Sequence, residues 1–316
     1  MNKRRHPDWL KVPLRGGQTF SDMKKILRKA KLNTICEEAK CPNITECFDN
    51  RTAVFLILGD ICTRNCRYCN VKYGKPNPLN PNEPTYIAES VKQLWLKYVV
   101  ITSVTRDDLE DGGADEFYKT VKKIRNFSNK CIIEVLIPDF NGNIDSLKTI
   151  IRSKPDVINH NIEVCKRLFP IIRPEGNYEK SLSILENIKI INNKIKTKSG
   201  FMLGLGERKN EIINTMEDLY KRKVDFITIC QYLQPTLDHA RIIKYYTQKE
   251  FNEYKKFGEN LGFKHIESGP LVRSSYHAER AIDWNKLKED DYKNIFNLDF
   301  WKWKLNLFIK FRKVNS

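Results

Sequence analysis

The apolar positions of this chain change period repeatedly. Seven short runs, rich in β-branched residues, read as strands: Ala53–Leu58, Tyr98–Ser103, Cys131–Ile137, Asp156–Asn159, Lys198–Leu203, Phe226–Gln231 and Phe263–Glu267. Between them the period shifts to that of a helix. Ile87, Val91, Leu94 and Trp95 share one face after Pro84 and Thr85. Phe117, Val121 and Ile124, then Leu182, Leu185 and Ile188, then Ile212, Met216 and Leu219 repeat it. Phe251, Tyr254 and Phe257 do the same ahead of a Gly262 stop. Such alternation predicts repeated βα units around a parallel sheet, with each stripe facing the core.

In parallel βα barrels the site is assembled from the loops that follow the strands. Here those loops hold the unusual sequences: a cysteine loop from Cys62, T-R-D-D-L-E-D-G-G-A, P-D-F-N-G, N-H-N-I-E, G-L-G-E, Q-P-T and G-P-L-V-R-S-S-Y-H-A. Two end regions stand outside the repeat. Residues 1–52 contain a capping-like Thr34-x-x-Glu37 and three cysteines. Residues 282–316 form a tail in which Trp301, Trp303, Leu305, Leu307, Ile309 and Phe311 alternate largely with Lys302, Lys304, Lys310 and Arg312. The tail reads as an edge strand, as an interfacial segment touching a membrane, or as a loosely packed end.

At 316 residues the chain is long enough for one α/β barrel with decorated ends. The start lacks an apolar segment behind its basic residues, and no run of about 18 uncharged apolar residues occurs, so a cytoplasmic protein is expected. In a reducing compartment thiols are metal ligands or buried small side chains more often than disulfides. The formal charge of +17 suits an acidic partner, but scattered lysines on solvated faces would give the same total.

Charge therefore leaves the chemistry to the cysteines. Six of the nine fall in two triplets, Cys36/Cys41/Cys47 and Cys62/Cys66/Cys69. Structural zinc favours paired C-x2-C knuckles, and only Cys66 and Cys69 make one, with no histidine between Cys36 and Cys69. Iron–sulfur ligation fits better, since three thiolates in a C-x3-C-x2-C loop leave one iron of a four-iron cluster open to a small molecule. For the first triplet a remote fourth ligand is needed, with Cys131, Cys165, Cys230 or the Ser274/Ser275 pair as candidates. Cys131 and Cys230 fall on apolar runs, where a thiol is usually just a small hydrophobe.

The C-x3-C-x2-C loop resembles the signature of radical S-adenosylmethionine (SAM) enzymes. Together with C-E-E-A-K-C-P-N-I-T-E-C, T-S-V-T-R-D-D-L-E-D-G-G-A, H-N-I-E, S-G-F-M-L-G-L-G-E and V-R-S-S-Y-H-A it resembles lipoyl synthases, over residues 7–280. Phe48 after Cys47, where an indole is usual, and the tail depart from that pattern. The resemblance implies an α/β fold: a partial (β/α)6 TIM-type barrel of the radical SAM type over 53–281, with an N-terminal cluster-binding extension over 1–52 and the tail over 282–316. It implies two [4Fe-4S] clusters, one on Cys62, Cys66 and Cys69 that cleaves S-adenosyl-L-methionine, and an auxiliary one on Cys36, Cys41, Cys47 and Ser275, with Ser274 the alternative. Sulfur from the auxiliary cluster would enter carbons 6 and 8 of an octanoyl group on a carrier-protein lysine.

The implied partners are octanoylated lipoyl carrier domains (2-oxoacid dehydrogenase E2 subunits and the glycine cleavage H protein) and a reduced ferredoxin or flavodoxin-type electron donor, with no nucleic acid. Ser103, Arg106, Asp107, Gly112, Gly113, Glu163, Arg173, Gly204 and Gly206 are the candidate SAM contacts, Glu163 toward the ribose and Arg173 toward the methionine carboxylate. Gly204, Gly206 and Glu207 are candidates for the adenine side. No side chain is expected to act as a catalytic acid or base; His160 reads as a structural neighbour, and His277 stays open. Rival readings are a biotin synthase-like enzyme, a transfer-RNA methylthiotransferase, or a non-catalytic iron–sulfur protein binding nucleic acid.

Overall fold

Period-two runs need neighbouring strands, and helical stripes need a surface to cover. The computed structural model describes residues 17–30, 32–38, 41–49, 52–128 and 131–275, together with Pro7 and Leu10. Helix α1 (Gln18–Lys29) leads into a two-residue strand β1 (Asn33–Thr34) and two short helices, α2 (Ile35–Glu38) and α3 (Ile44–Asp49). The repeat begins with β2 (Thr52–Ile57). A small ribbon of β3 (Ile61–Cys62) and β4 (Lys72–Tyr73) precedes α4 (Glu83–Gln93). Then follow β5 (Tyr98–Ser103), α5 (Ala114–Phe127), β6 (Ile132–Leu136), α6 (Ile144–Ser153) and β7 (Val157–Asn159). The remainder is α7 (Phe169–Ile172), α8 (Tyr178–Ile191), β8 (Lys196–Leu203), α9 (Lys209–Lys221), β9 (Phe226–Gln231), α10 (Gln248–Leu261) and β10 (His265–Gly269).

The main sheet has eight strands in the order β1-β2-β5-β6-β7-β8-β9-β10. All neighbours pair in parallel except β1 with β2, where Thr34 faces Phe55. Sequential strands lie side by side because each crossover helix returns the chain to the same edge of the sheet. With β1 and β10 at opposite ends, the barrel is partial: six βα units and a closing seventh parallel strand.

The helical stripes face inward as their spacing requires. Phe117, Val121 and Ile124 of α5 are fully buried, as are Ile212, Met216 and Leu219 of α9. Each such side chain contributes roughly 1.5–3 kcal/mol by leaving water. Helix α10 starts with a reciprocal capping box, Thr247 accepting from the Glu250 N–H and Glu250 from the Thr247 N–H, and stops at Gly262 with φ +104°. Trp95 departs from its stripe: it lies past the end of α4 with φ +51° and is half-buried. The final strand starts at His265 rather than Phe263, because Phe263 folds back to donate to Gly258. Cys131 and Asp156 likewise sit just outside their strands. Among the described residues no helix is long and apolar enough to cross a membrane. Tyr276, His277 and the tail lie outside the described residues.

Candidate metal and cofactor site

The second cysteine triplet is held at the mouth of the barrel by its own loop. Cys62 ends β3, and its sulfur accepts the backbone N–H groups of Arg64 (3.4 Å) and Thr105 (3.3 Å). Cys69 closes a tight turn by donating its N–H to the Cys66 carbonyl. Arg64, nearly solvent-free, anchors the loop. Its guanidinium pairs with both oxygens of Asp139 (2.7 Å each) and with Asp107 (2.7 and 2.8 Å), and donates to Asn141 Oδ1. Burial alone would raise the Asp139 carboxyl, but Arg64 overcomes it and holds the group down at about 2. Neither Arg64 nor Asp139 was singled out by the sequence. Spacing gave no signal, since the partners are separated by 75 positions.

The far side of the loop is stitched to later strands. Arg67 N–H donates to Ile172 O, Arg67 O accepts from Ala240, and the imidazole Nε2 of His239 lies 2.9 Å from the carbonyl of Cys69. Burial pushes the Cys66 thiol up to about 12 and Cys69 up to about 11; each thiol also feels its two companions or one of them, while Arg173 pulls Cys66 down. Such thiols are protonated at neutral pH unless something positive binds them, and coordination to iron does this.

The first triplet is built differently. The Thr34 hydroxyl accepts from Glu37 N–H, as its capping pattern predicts, and Cys36 follows in α2. Cys41 N–H donates to Cys36 O, and Cys47 N–H to Asn43 O. Burial raises the Cys36 thiol, reinforced by Cys41 and Cys47, so Cys36 is within electrostatic reach of both. Burial also raises Cys41, opposed by Arg273. Asn43 Nδ2 donates to Leu271 O at 2.6 Å across 228 positions, bringing the segment with Ser274 and Ser275 to this triplet. Among the remaining thiols, Cys131 feels Arg125 and Asp156, and Cys165 feels Thr215 and Glu207, on other elements. Cys230 alone shares Arg273 with Cys41.

Among the described residues no three His, Cys, Asp or Glu side chains converge as around one mononuclear ion. The two backbone N–H groups aimed at the Cys62 sulfur suit a thiolate held as a ligand. All nine cysteines are free thiols.

Around the second triplet lie the other candidates. Glu163 adopts φ +69°, pinned past the end of β7 by its N–H to Gly200 O and its carbonyl to Met202 N–H. A non-glycine residue held there is strained, as side chains presented to a ligand often are. Burial raises its carboxyl, against the pull of Arg173. Arg173 stays charged despite burial because Tyr68, Glu163 and Cys66 surround it. Ser103 Oγ, Asn159 Oδ1, His160 Nε2 and Asn161 Oδ1 are buried atoms without a partner among the described residues, all near the ends of β5 and β7. His160 Nδ1 faces Ile137 O at 2.9 Å, so in the neutral ring Nε2 is a bare acceptor.

Other sequence candidates serve the frame. Arg106 pairs with Asp108 and donates to Leu58 O, while Asp107 belongs to the Arg64 clamp. Gly112 and Gly113 have φ +60° and +89°, and a Cβ on Gly113 would lie 2.3 Å from Leu58 Cδ1. Gly204 (φ +114°) leaves no room for a Cβ beside Gln231, whereas a Cβ on Gly206 (φ +101°) would only touch the Ile243 side chain, at 3.6 Å. Glu207 accepts the N–H groups of Gly204 and Leu205, shaping that turn.

The chain is similar to known proteins over most of its length. The model of the radical SAM superfamily matches residues 56–219, and that of the N-terminal domain of lipoyl synthase matches residues 1–41. The chain is 49% identical over 281 residues to the lipoyl synthase of Caldicellulosiruptor saccharolyticus, covering 89% of this chain and 99% of that protein. It is 51% identical over 287 residues to the lipoyl synthase of Halalkalibacterium halodurans, covering 90% and 95%. A crystal structure of methylornithine synthase superposes with a TM-score of 0.52 at 11% identity, covering 83% of this chain and 87% of that one, a likeness of fold alone.

Proposed function

The chain belongs to the lipoyl synthase family of radical SAM enzymes, and from that premise we propose that it inserts two sulfur atoms, at carbons 6 and 8, into an octanoyl group carried on a protein lysine in the cytoplasm. Cys62, Cys66 and Cys69 would hold one [4Fe-4S] cluster, and Cys36, Cys41, Cys47 and Ser275 a second. When bound, the first cluster with SAM supplies the radical that removes hydrogen from the octanoyl chain, and the second supplies sulfur.

The residues around the mouth do the positioning. Arg173, buried and charged beside Cys66, offers a methionine carboxylate a charge-assisted partner. Glu163, held in a left-handed conformation at the strand end, offers acceptors to ribose hydroxyls. Ser103, at the end of β5, has a buried hydroxyl without a partner among the described residues. Gly204 and Gly206, both with positive φ, let the chain turn where the adenine side would lie. Arg106, Asp107, Gly112 and Gly113 act one step back, by fixing the loops that carry these groups. A serine oxygen is a harder ligand than thiolate, so Ser275 would hold iron less firmly than the cysteines, which would suit a cluster that supplies sulfur.

The observation that carries the reading is the meeting of the first triplet with the Arg273–Ser275 segment, through Asn43 to Leu271 and Arg273 to Cys41. A biotin synthase-like enzyme, a methylthiotransferase or a nucleic-acid binder gives no reason for that junction. The test is anaerobic reconstitution with iron and sulfide, then reaction with SAM, dithionite and an octanoyl-lysine peptide. The peptide should gain two sulfurs, and Cys36→Ala should stop the gain while deoxyadenosine still forms. Deoxyadenosine without sulfur transfer by the parent protein would refute the reading.

A further inference from the structure

The end of the barrel where the strands begin carries positive charge that its own acids do not cancel. Three neighbouring stretches leading into β8, β9 and β10, residues 189–196, 220–225 and 262–265, hold seven lysines and arginines and one acid, Asp225. They are knitted together. Lys189 and Lys264 both pair with the buried Asp225, Lys189 also donates to Ile195 O (2.8 Å), and Arg222 at the end of α9 reaches Glu186 of α8 (2.8 Å). Lys221 meets Glu217 of its own helix at 3.9 Å. Lys194, Lys196 and Lys223 are exposed and make no ion pair among the described residues. Asp225, Glu186, Glu217 and the exposed Glu259 of α10 together leave three of the seven cations unbalanced. Burial, with Lys264 and Lys189 adding to it, pushes the Lys196 ammonium below its usual range, as crowded positive charge should.

The same rim shows apolar side chains to solvent. Ile190 is 73% exposed, Tyr220 43% and Ile191 40%. Ile190 and Ile191 end α8, Tyr220 lies in the last turn of α9, and its ring stands edge-on to Phe263 ahead of β10 (5.6 Å). Aliphatic knobs among lysines are not the make-up of a protein interface, where lysine is depleted, nor of a single-strand nucleic-acid platform, which stacks bases on aromatic rings. They suit the edge of a negatively charged bilayer. There apolar groups enter the acyl boundary while ammonium groups meet phosphates.

We propose that this end of the barrel docks reversibly on a membrane surface rich in anionic phospholipid. Lysine charge draws the face to the phosphates, and Ile190 and Ile191 add apolar contact, the two signals that peripheral binding combines. Position rules out the partners of the reaction. Strand β8 runs from Lys196 to Leu203, about 23 Å, and the Cys62–Cys69 loop and the Leu271–Ser275 segment lie beyond the opposite ends of the strands. A protein seated here would be a strand's length from either cysteine triplet, whereas a bilayer seated here leaves the mouth facing solvent. The inference does not rest on the reaction proposed above, because binding involves no turnover.

The test is flotation of the full chain with phosphatidylcholine vesicles made with and without phosphatidylglycerol, at low and high salt. The parent should bind only the anionic vesicles, and less at high salt. The double variant K194Q/K196Q should bind about thirtyfold more weakly at low salt, while K194R/K196R, which keeps the charge, should bind as the parent does. Ile190→Ser should weaken binding about fivefold at both salt concentrations, since its contribution is apolar. K72Q/K75Q removes two exposed lysines at the other end of the barrel and should change nothing. The proposal is overturned if the parent ignores anionic vesicles, if K194Q/K196Q binds them as the parent does, or if K72Q/K75Q weakens binding equally, which would assign it to net charge. Binding to an acidic protein or to duplex DNA, with none to vesicles, would overturn it as well.

Discussion

The two cysteine triplets differ in what holds them. The second lies in a loop of the barrel itself, locked by the buried Arg64–Asp139 pair and by bonds to Thr105, Ile172 and Ala240. The first lies on two short helices and the segment between them, attached by a two-residue ladder to β2, by Asn43 to Leu271 and by Asn70 to Glu38 O. Phe48 packs against Phe20 of α1, where an aromatic of either kind would serve. One site is thus part of the scaffold and the other is clipped onto it. Under the function proposed above, the built-in site would suit a cluster that persists and the clipped-on site one that gives up sulfur.

The sharpest break in this comparison comes from the ligands. Cys62→Ala should abolish deoxyadenosine formation outright and bring iron content from about eight to about four per chain. Cys36→Ala should cause the same loss of iron yet keep deoxyadenosine. Equal iron in Cys36→Ala and the parent would deny the first triplet its cluster.

Next in size is the anchor of the barrel loop. Arg64→Ala leaves Asp139 charged and buried without its partner, and should cost about 3–5 kcal/mol in denaturant unfolding. It should also release the iron held by Cys62, Cys66 and Cys69 first. Asn43→Ala removes one buried hydrogen bond and should cost about 1–2 kcal/mol. Its iron loss, followed by chelator challenge, should be confined to the first triplet. If both variants shed the same iron, the contrast between built-in and clipped-on sites fails.

The last effect, spread over a pH window, comes from His160. Burial, with Arg173 adding to it, pushes the His160 imidazole down to about 4. The unfolded chain takes up that proton near pH 6.5 whereas the folded one does not, so acid favours unfolding. The contribution is complete above about pH 6.5 and is lost as pH falls toward 4, at about 1 kcal/mol per pH unit. His160→Gln should flatten the stability profile in that window, and an unaltered slope would show that the ring charges freely when folded.

Strand and helix order was legible because burial imposes a period, and all seven parallel strands lie where apolar runs predicted them. Their ends were less legible. The last strand began two residues late because Gly262 and the Phe263–Gly258 bond hold the chain a little longer, a local contest between helix cap and strand that spacing does not resolve.

The cysteine triplets suggested iron–sulfur chemistry from sequence alone, since thiols spaced within a few residues are readily gathered by a single loop. Arg64 with Asp139, Asn43 with Leu271, and His239 with Cys69 are pairs of another kind, 75, 228 and 170 positions apart. Local pattern fixes which elements form and which thiols cluster. Only tertiary structure decided which remote side chains close around them, because those contacts depend on the order and register of strands and not on distance along the chain.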